Sequence, residues 1–138
     1  MFKKVLVAID ESTHAKTVID MAADLASTFS AEVRVLHVLE TGFVGRAGVV
    51  NLESADGAQS MVNVAVDDLR SRGILVTGNV RPAPRGRLAT EINAEAHDFG
   101  ADLIVIGSRG LSDLEGLFVG STSHRLLHVT DLPVVVIP

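Results

Sequence analysis

The stretch "DLIVIG", residues 102–107, runs from an aspartate through four consecutive branched apolar residues to a glycine. No polar residue alternates with them, so a strand formed here must be covered on both faces. That is the signature of a central strand in a parallel sheet.

The flanking sequence supplies the covers. Upstream, residues 87–99 repeat Leu88, Ile92, Ala96 and Phe99 at helical spacing, and Gly100 follows as a stop. Before them, "RPAPRG" (81–86) reads as a turn and "ILVTGNV" (74–80) as a strand. The mixed faces of that strand, with Thr77 and Asn79, suit a sheet edge. Residues 58–72 form a helix with Met61, Ala65 and Leu69 inward and Gly73 after its last turn. The segment 40–57 has four glycines and no period, and is expected to be a long loop.

"EVRVLHVL" (32–39) and "KVLVAI" (4–9) are further buried strands. Between them, residues 12–30 place Ala15, Val18, Ile19, Ala22, Ala26 and Phe29 on one helical face, with Ser12 or Thr13 as N-cap. Downstream come a glycine-rich loop, a helix over about 120–130 and a last strand, "PVVVIP" (133–138). Five strands separated mainly by helices predict an α/β protein. Its sheet is open and parallel, with helices on both faces. The 138 residues fit one domain, and no repeat or linker interrupts them.

Composition narrows the function. Seventeen acidic residues against twelve basic give a net charge of −5, and no basic run exceeds Lys3-Lys4, so a nucleic-acid footprint is absent. The absence of cysteine excludes disulfides, thiol catalysis and thiolate zinc sites, and fits a reducing cytosol. The start "MFKKVLVAID" has too short an apolar core for a signal peptide, and no apolar run approaches the ~20 residues of a membrane span. A soluble cytoplasmic protein is expected.

In open parallel sheets ligands bind beyond the carboxyl ends of the strands, where the strand order reverses. The loop "GSRGLSDLEGLFVGSTS" (107–123) leaves such an end. Gly107, Gly110 and Gly120 let main-chain N–H groups approach an oxygen-rich group, and the helix beginning near Ser121 offers unpaired N–H donors. Ser121, Thr122 and Ser123 add hydroxyls, and Arg109 is the one basic side chain between Gly107 and Ser123. Together they have the ingredients of a phosphate cradle. By glycine spacing alone, a flexible loop fits equally well.

The pattern Gly107-x2-Gly110-x9-Gly120-Ser121 resembles the ATP-binding signature of the universal stress protein family, G-x2-G-x9-G-[ST]. "VLVAIDES", "LHV", "DLIVIGSRG" and "LPVVVI" extend the likeness over essentially the whole chain. The resemblance implies a Rossmann-like sheet of order 3-2-1-4-5, with the reversal between the first and fourth strands. Asp10 and Gly107, at the ends of those strands, would then line one crevice. It further implies that Ala8 and Ile9 lie along adenine or ribose and that Asp10 meets the ribose hydroxyls or a phosphate-bound Mg ion. Val38 would bond adenine through its main chain, and Ile106 and Gly107 would pass under the sugar. Arg109, Gly110, Gly120, Ser121, Thr122 and Ser123 would surround the phosphates. Glu11 stands where the family often has glycine, and Ala8 where some nucleotide-binding members have proline. Asp10 also suits a helix cap, and the two roles can coexist.

The expected function is that of an adenine-nucleotide (ATP) binding regulatory protein of the stress response. Neither G-x-x-x-x-G-K-[ST] nor G-x-S-x-G occurs, so binding is better supported than turnover. The alternatives are a slow Mg-dependent ATP hydrolase, with Asp10 holding metal and Arg109 stabilising charge, and a ligand-free dimeric interaction module. The resemblance also implies a homodimer joined through the last strand, Pro133 to Pro138. Those two prolines would blunt the edge if the chain were instead a monomer. Arg46, in the 40–57 segment, would reach phosphate only if that segment folded over the nucleotide. His37 reads as a core or crevice histidine. His124 and His128, four apart, could share a metal. "HRLLH" lacks the glutamate of H-E-x-x-H, however, and surface histidines near a helix terminus are the favoured reading.

Overall fold

A computed structural model describes residues 1–10, 15–43, 48–51, 54–108 and 121–138. The elements run β1 (Lys4–Ala8), α1 (Ala15–Phe29), β2 (Glu32–Phe43), β3 (Val49–Asn51), α2 (Ala55–Ser71), β4 (Val76–Pro84), α3 (Leu88–Phe99), β5 (Leu103–Gly107), α4 (Ser121–Val129) and β6 (Val134–Ile137). Five strands pair in parallel in the order β4-β2-β1-β5-β6, the 3-2-1-4-5 arrangement. β3 adds a short antiparallel pairing to the far end of β2.

Alternation along the central strands divides the interior into two cores. Val5, Val7, Val33, Val35, Leu103 and Val105 face one side, where α1 and α2 cover them through Val18, Ile19, Ala22, Val62 and Leu69. Leu6, Leu36, Ile104 and Ile106 face the other, beneath Ile92, Ala96 and Phe99 of α3 and Leu126 of α4. Both faces being buried, β1 and β5 read as unbroken apolar runs. α2 lies so close to β4 that a Cβ at Gly78 would stand 2.5 Å from Val62 Cγ1 and 2.8 Å from Val66 Cγ2.

Two expectations are corrected. Residues 40–57 are not one long loop: β2 continues to Phe43, β3 spans Val49–Asn51, and α2 begins at Ala55. Ser54 caps α2, its Oγ accepting the Gly57 N–H at 3.1 Å. Nor is the whole of 81–86 a turn, for β4 runs on to Pro84 along β2, with Leu39 opposite Pro82 and Thr41 opposite Pro84, and only Arg85 and Gly86 turn. The prolines are tolerated because of their phase. Leu75 O accepts from Val33 N–H and Arg85 N–H donates to Thr41 O, so odd-numbered residues of β4 turn to β2. Pro82 and Pro84 therefore direct their donorless nitrogens to the open edge. As expected, β4 is an edge strand, pairing with β2 alone among the described residues.

At that edge α3 is held by a buried carboxylate. Glu95, 3 % exposed, accepts from Arg34 Nη1 (2.8 Å) and Asn79 Nδ2 (2.9 Å) on one oxygen and from Arg81 Nη1 (2.8 Å) on the other. Burial alone would raise its pKa. The bonds from Asn79, Arg81 and Arg34 outweigh that and hold the carboxyl below the usual range.

Candidate functional site

β1 and β5 are neighbours in the sheet, yet the helices that follow them, α1 and α4, pack on opposite faces, which opens a crevice at their carboxyl ends. Ala8 pairs with Ile106, so the register brings Ile9 level with Gly107 and sets Asp10 one residue further out at the mouth of the crevice. Ala8, Ile9 and Ile106 are buried in its floor, and Asp10 and Gly107 are half-buried.

Main-chain phase determines which groups face this opening. Ser108 N–H donates to Ile137 O at 2.8 Å, so even-numbered residues of β5 turn to β6. Gly107 has the opposite phase and turns its N–H and C=O to the β1 side. There its carbonyl accepts the hydroxyl of Ser123 at 2.7 Å. Ser123 lies in the first turn of α4 and is 1 % exposed. The bond fastens the amino-terminal turn of α4 over the gap between β1 and β5. Leu126, fully buried one turn on, anchors the same helix in the core.

β2 supplies the opposite wall. Ile9 N–H donates to Leu36 O at 2.9 Å, so Leu36 turns to β1 and Val38, two residues on, does the same just past that bond. The main chain of Val38 thus faces the crevice, and its side chain is buried. His37, 5 % exposed, places Nδ1 2.8 Å from Ile9 O. A carbonyl can only accept, so Nδ1 carries the proton. His37 thereby holds the end of β1 against β2, immediately before Asp10. Its burial agrees with a core or crevice histidine. Its positioning role was not legible, because the periodicity that identifies a strand says nothing about where a ring nitrogen finds its partner.

The sequence-predicted residues fall into three groups. Ala8, Ile9, Asp10, Val38, Ile106 and Gly107 converge on the crevice from three strands. Arg109, Gly110 and Gly120 lie outside the described residues, as do Arg46 and the Ser12 or Thr13 cap. Ser121, Thr122 and Ser123 open α4. Among these, Ser123, expected beside the phosphates, donates its hydroxyl to Gly107 O and so joins the helix start to the end of β5.

No group of three or more His, Cys, Asp or Glu side chains converges as a metal site among the described residues. Among them, too, no helix is long and apolar enough to cross a membrane. An open depression of about 500 Å³ beside Lys3, Ser27, Ser30, Glu32 and Leu75 lies at the opposite, amino-terminal end of the strands.

The family model described as Universal stress protein family matches residues 1–138. "Universal stress protein YxiE" of Bacillus subtilis is 32% identical over 153 residues, covering 99% of each chain. A universal stress protein from Archaeoglobus fulgidus superposes with a TM-score of 0.79 at 26% identity, covering 100% of both chains. A second structure, that of the universal stress protein from Archaeoglobus fulgidus in complex with dAMP, gives 0.76 at 24% identity, covering 99% of this chain and 98% of that one.

Proposed function

Because this chain belongs to the universal stress protein family, we propose that its β1–β5 crevice binds an adenine nucleotide, ATP in the first place, and that occupancy switches the protein between partner-binding states. The observation that carries the reading is the placement of α4. Its first turn, held by Ser123 on Gly107, brings the N–H donors of a helix start to the carboxyl end of β5, beside β1, where Asp10 follows one residue beyond the level of Gly107. The spacing Gly107-x2-Gly110-x9-Gly120-Ser121 and a neighbour of the same fold in complex with dAMP support it.

In this reading adenine lies against Ala8, Ile9 and Ile106 and bonds the main chain of Val38. The ribose meets Asp10 and passes over Gly107. Arg109, Gly110, Gly120, Ser121 and Thr122 take the phosphates, with Ser123 setting the helix from behind. A Mg ion would arrive on the phosphates, with Asp10 the carboxylate nearest to share it. With one arginine and no lysine between Gly107 and Ser123, hydrolysis would be weak at most.

A homodimer through the last strand belongs to the same proposal. Among the described residues β6 pairs with β5 alone, Val134, Val135 and Val136 are only half-buried, and Leu127 and Val129 of α4 are about half exposed.

The test is thermal unfolding of the nucleotide-stripped chain with ATP and magnesium. The midpoint is expected to rise with ligand concentration as mass action requires. In Gly120→Val, which puts a side chain in the phosphate path, the rise should vanish. No shift at millimolar ATP, or an unchanged shift in that variant, overturns the reading.

A further inference from the structure

His124 and His128 stand one turn apart on the exposed face of α4, and their imidazoles meet edge to face, with ring centroids 4.7 Å apart. Nε2 of one lies 3.3 Å from Nε2 of the other. Two lone pairs that close repel, so something positive must lie between them. A single proton shared as N–H···N is the simplest occupant. A divalent metal is the other, and the spacing suits it.

At metal–nitrogen distances of about 2.05 Å, nitrogens 3.3 Å apart subtend roughly 107° at the ion, close to the tetrahedral angle. We infer that His124 and His128 form a two-imidazole chelate for a borderline divalent cation of the Cu²⁺, Zn²⁺ or Ni²⁺ class, displacing the shared proton. The helix fixes both ligands beforehand, because residues four apart stack on one face. Arg125, between them in sequence, does not crowd the site with charge, since its guanidinium donates to Gly86 O at 3.1 Å. The remaining coordination positions open to solvent, where water or a second copy of the chain completes the shell. The inference rests on the two imidazoles alone and does not depend on the nucleotide reading.

The experiment is calorimetric titration of the untagged, EDTA-treated full chain with CuCl₂ and with ZnCl₂ at pH above the ordinary imidazole range. One ion per chain is expected, with copper bound more tightly than zinc. One ion per two chains equally supports the site, as two copies supplying four imidazoles. His124→Ala and His128→Ala should each weaken binding at least tenfold, while His97→Ala leaves it unchanged. Copper in the wild-type chain should show two nitrogen ligands by electron paramagnetic resonance. Both histidines are exposed, so the variants should keep the wild-type circular dichroism. The inference is overturned if neither ion binds at submillimolar concentration, or if binding survives undiminished in either variant.

Discussion

The Ser123 hydroxyl donates to the Gly107 carbonyl across 2.7 Å, joining the start of α4 to the end of β5. Both ends of the glycine-rich connection are thereby tied to one point, whatever path the chain takes between them. Ser123→Ala would remove this part-buried hydrogen bond, at a cost of about 1 kcal/mol. Chemical denaturation measures that. In the nucleotide reading, ATP affinity should fall as well, since the N–H donors of α4 lose their aim. Loss of affinity together with stability is expected. Unchanged affinity would mean that the helix start is held by other contacts.

At Gly78 two valines of α2 lie close against β4. A methyl group there would overlap Val62 Cγ1 and Val66 Cγ2, at 2.5 and 2.8 Å. Both are short, branched side chains packed in the core, so relief requires a shift of the helix itself. Gly78→Ala should destabilise by about 1–3 kcal/mol. Adding Val62→Ala should recover part of the loss relative to Val62→Ala alone, measurable as a coupling in a double-mutant cycle. Simple additivity would place the overlap elsewhere.

Glu95 gives the protein a pH dependence of known sign. Its carboxyl is held below the usual range by Asn79, Arg81 and Arg34 against the effect of burial. A depressed folded-state pKa means the unfolded chain takes up the proton first. The stabilisation is therefore complete above the unfolded value of ~4.3 and is lost as pH falls through the lower folded value. Glu95→Gln should cost about 3 kcal/mol at neutral pH, because Arg34 and Arg81 lose a buried counter-charge. That difference from wild type should shrink in denaturation below pH ~4. A gap that stays constant with pH would show that Glu95 acts by shape alone.

Much of this architecture is written locally. Leu103–Ile106 and Val5–Ala8 announce buried parallel strands because both of their faces are apolar, and Gly100 announces the end of α3, which it takes at φ 78°. What was illegible depends on partners distant in sequence. Pro82 and Pro84 argue for a turn until β2 is seen beside them with its bonds in the other phase. Ser54 looked like one more loop residue because Gly57, its bonding partner, weakens the helical pattern. At the site, the crevice between Asp10 and Gly107 was legible through the family resemblance, which implied the strand order that sets their two strands side by side. The hydroxyl of Ser123 and the ring of His37 were assigned only by the carbonyls they reach, of Gly107 and Ile9.

The last strand allows a test of the proposed dimer that spares the fold. β5 donates from Ile104 to Pro133 O and from Ser108 to Ile137 O, so odd-numbered residues of β6 turn to β5. Val136 is even and opposite Ile106, and its own N–H turns outward, to the free side of the strand. Val136→Pro removes that donor and leaves the bonds to β5 in place, as Pro82 and Pro84 already do on the other edge. If two chains pair through this edge, the substitution should convert dimer to monomer in light scattering and lower the melting temperature only modestly. Should the variant remain as dimeric as the wild type, the chains associate through some other surface. Should the wild type itself be monomeric, β6 is an edge left bare.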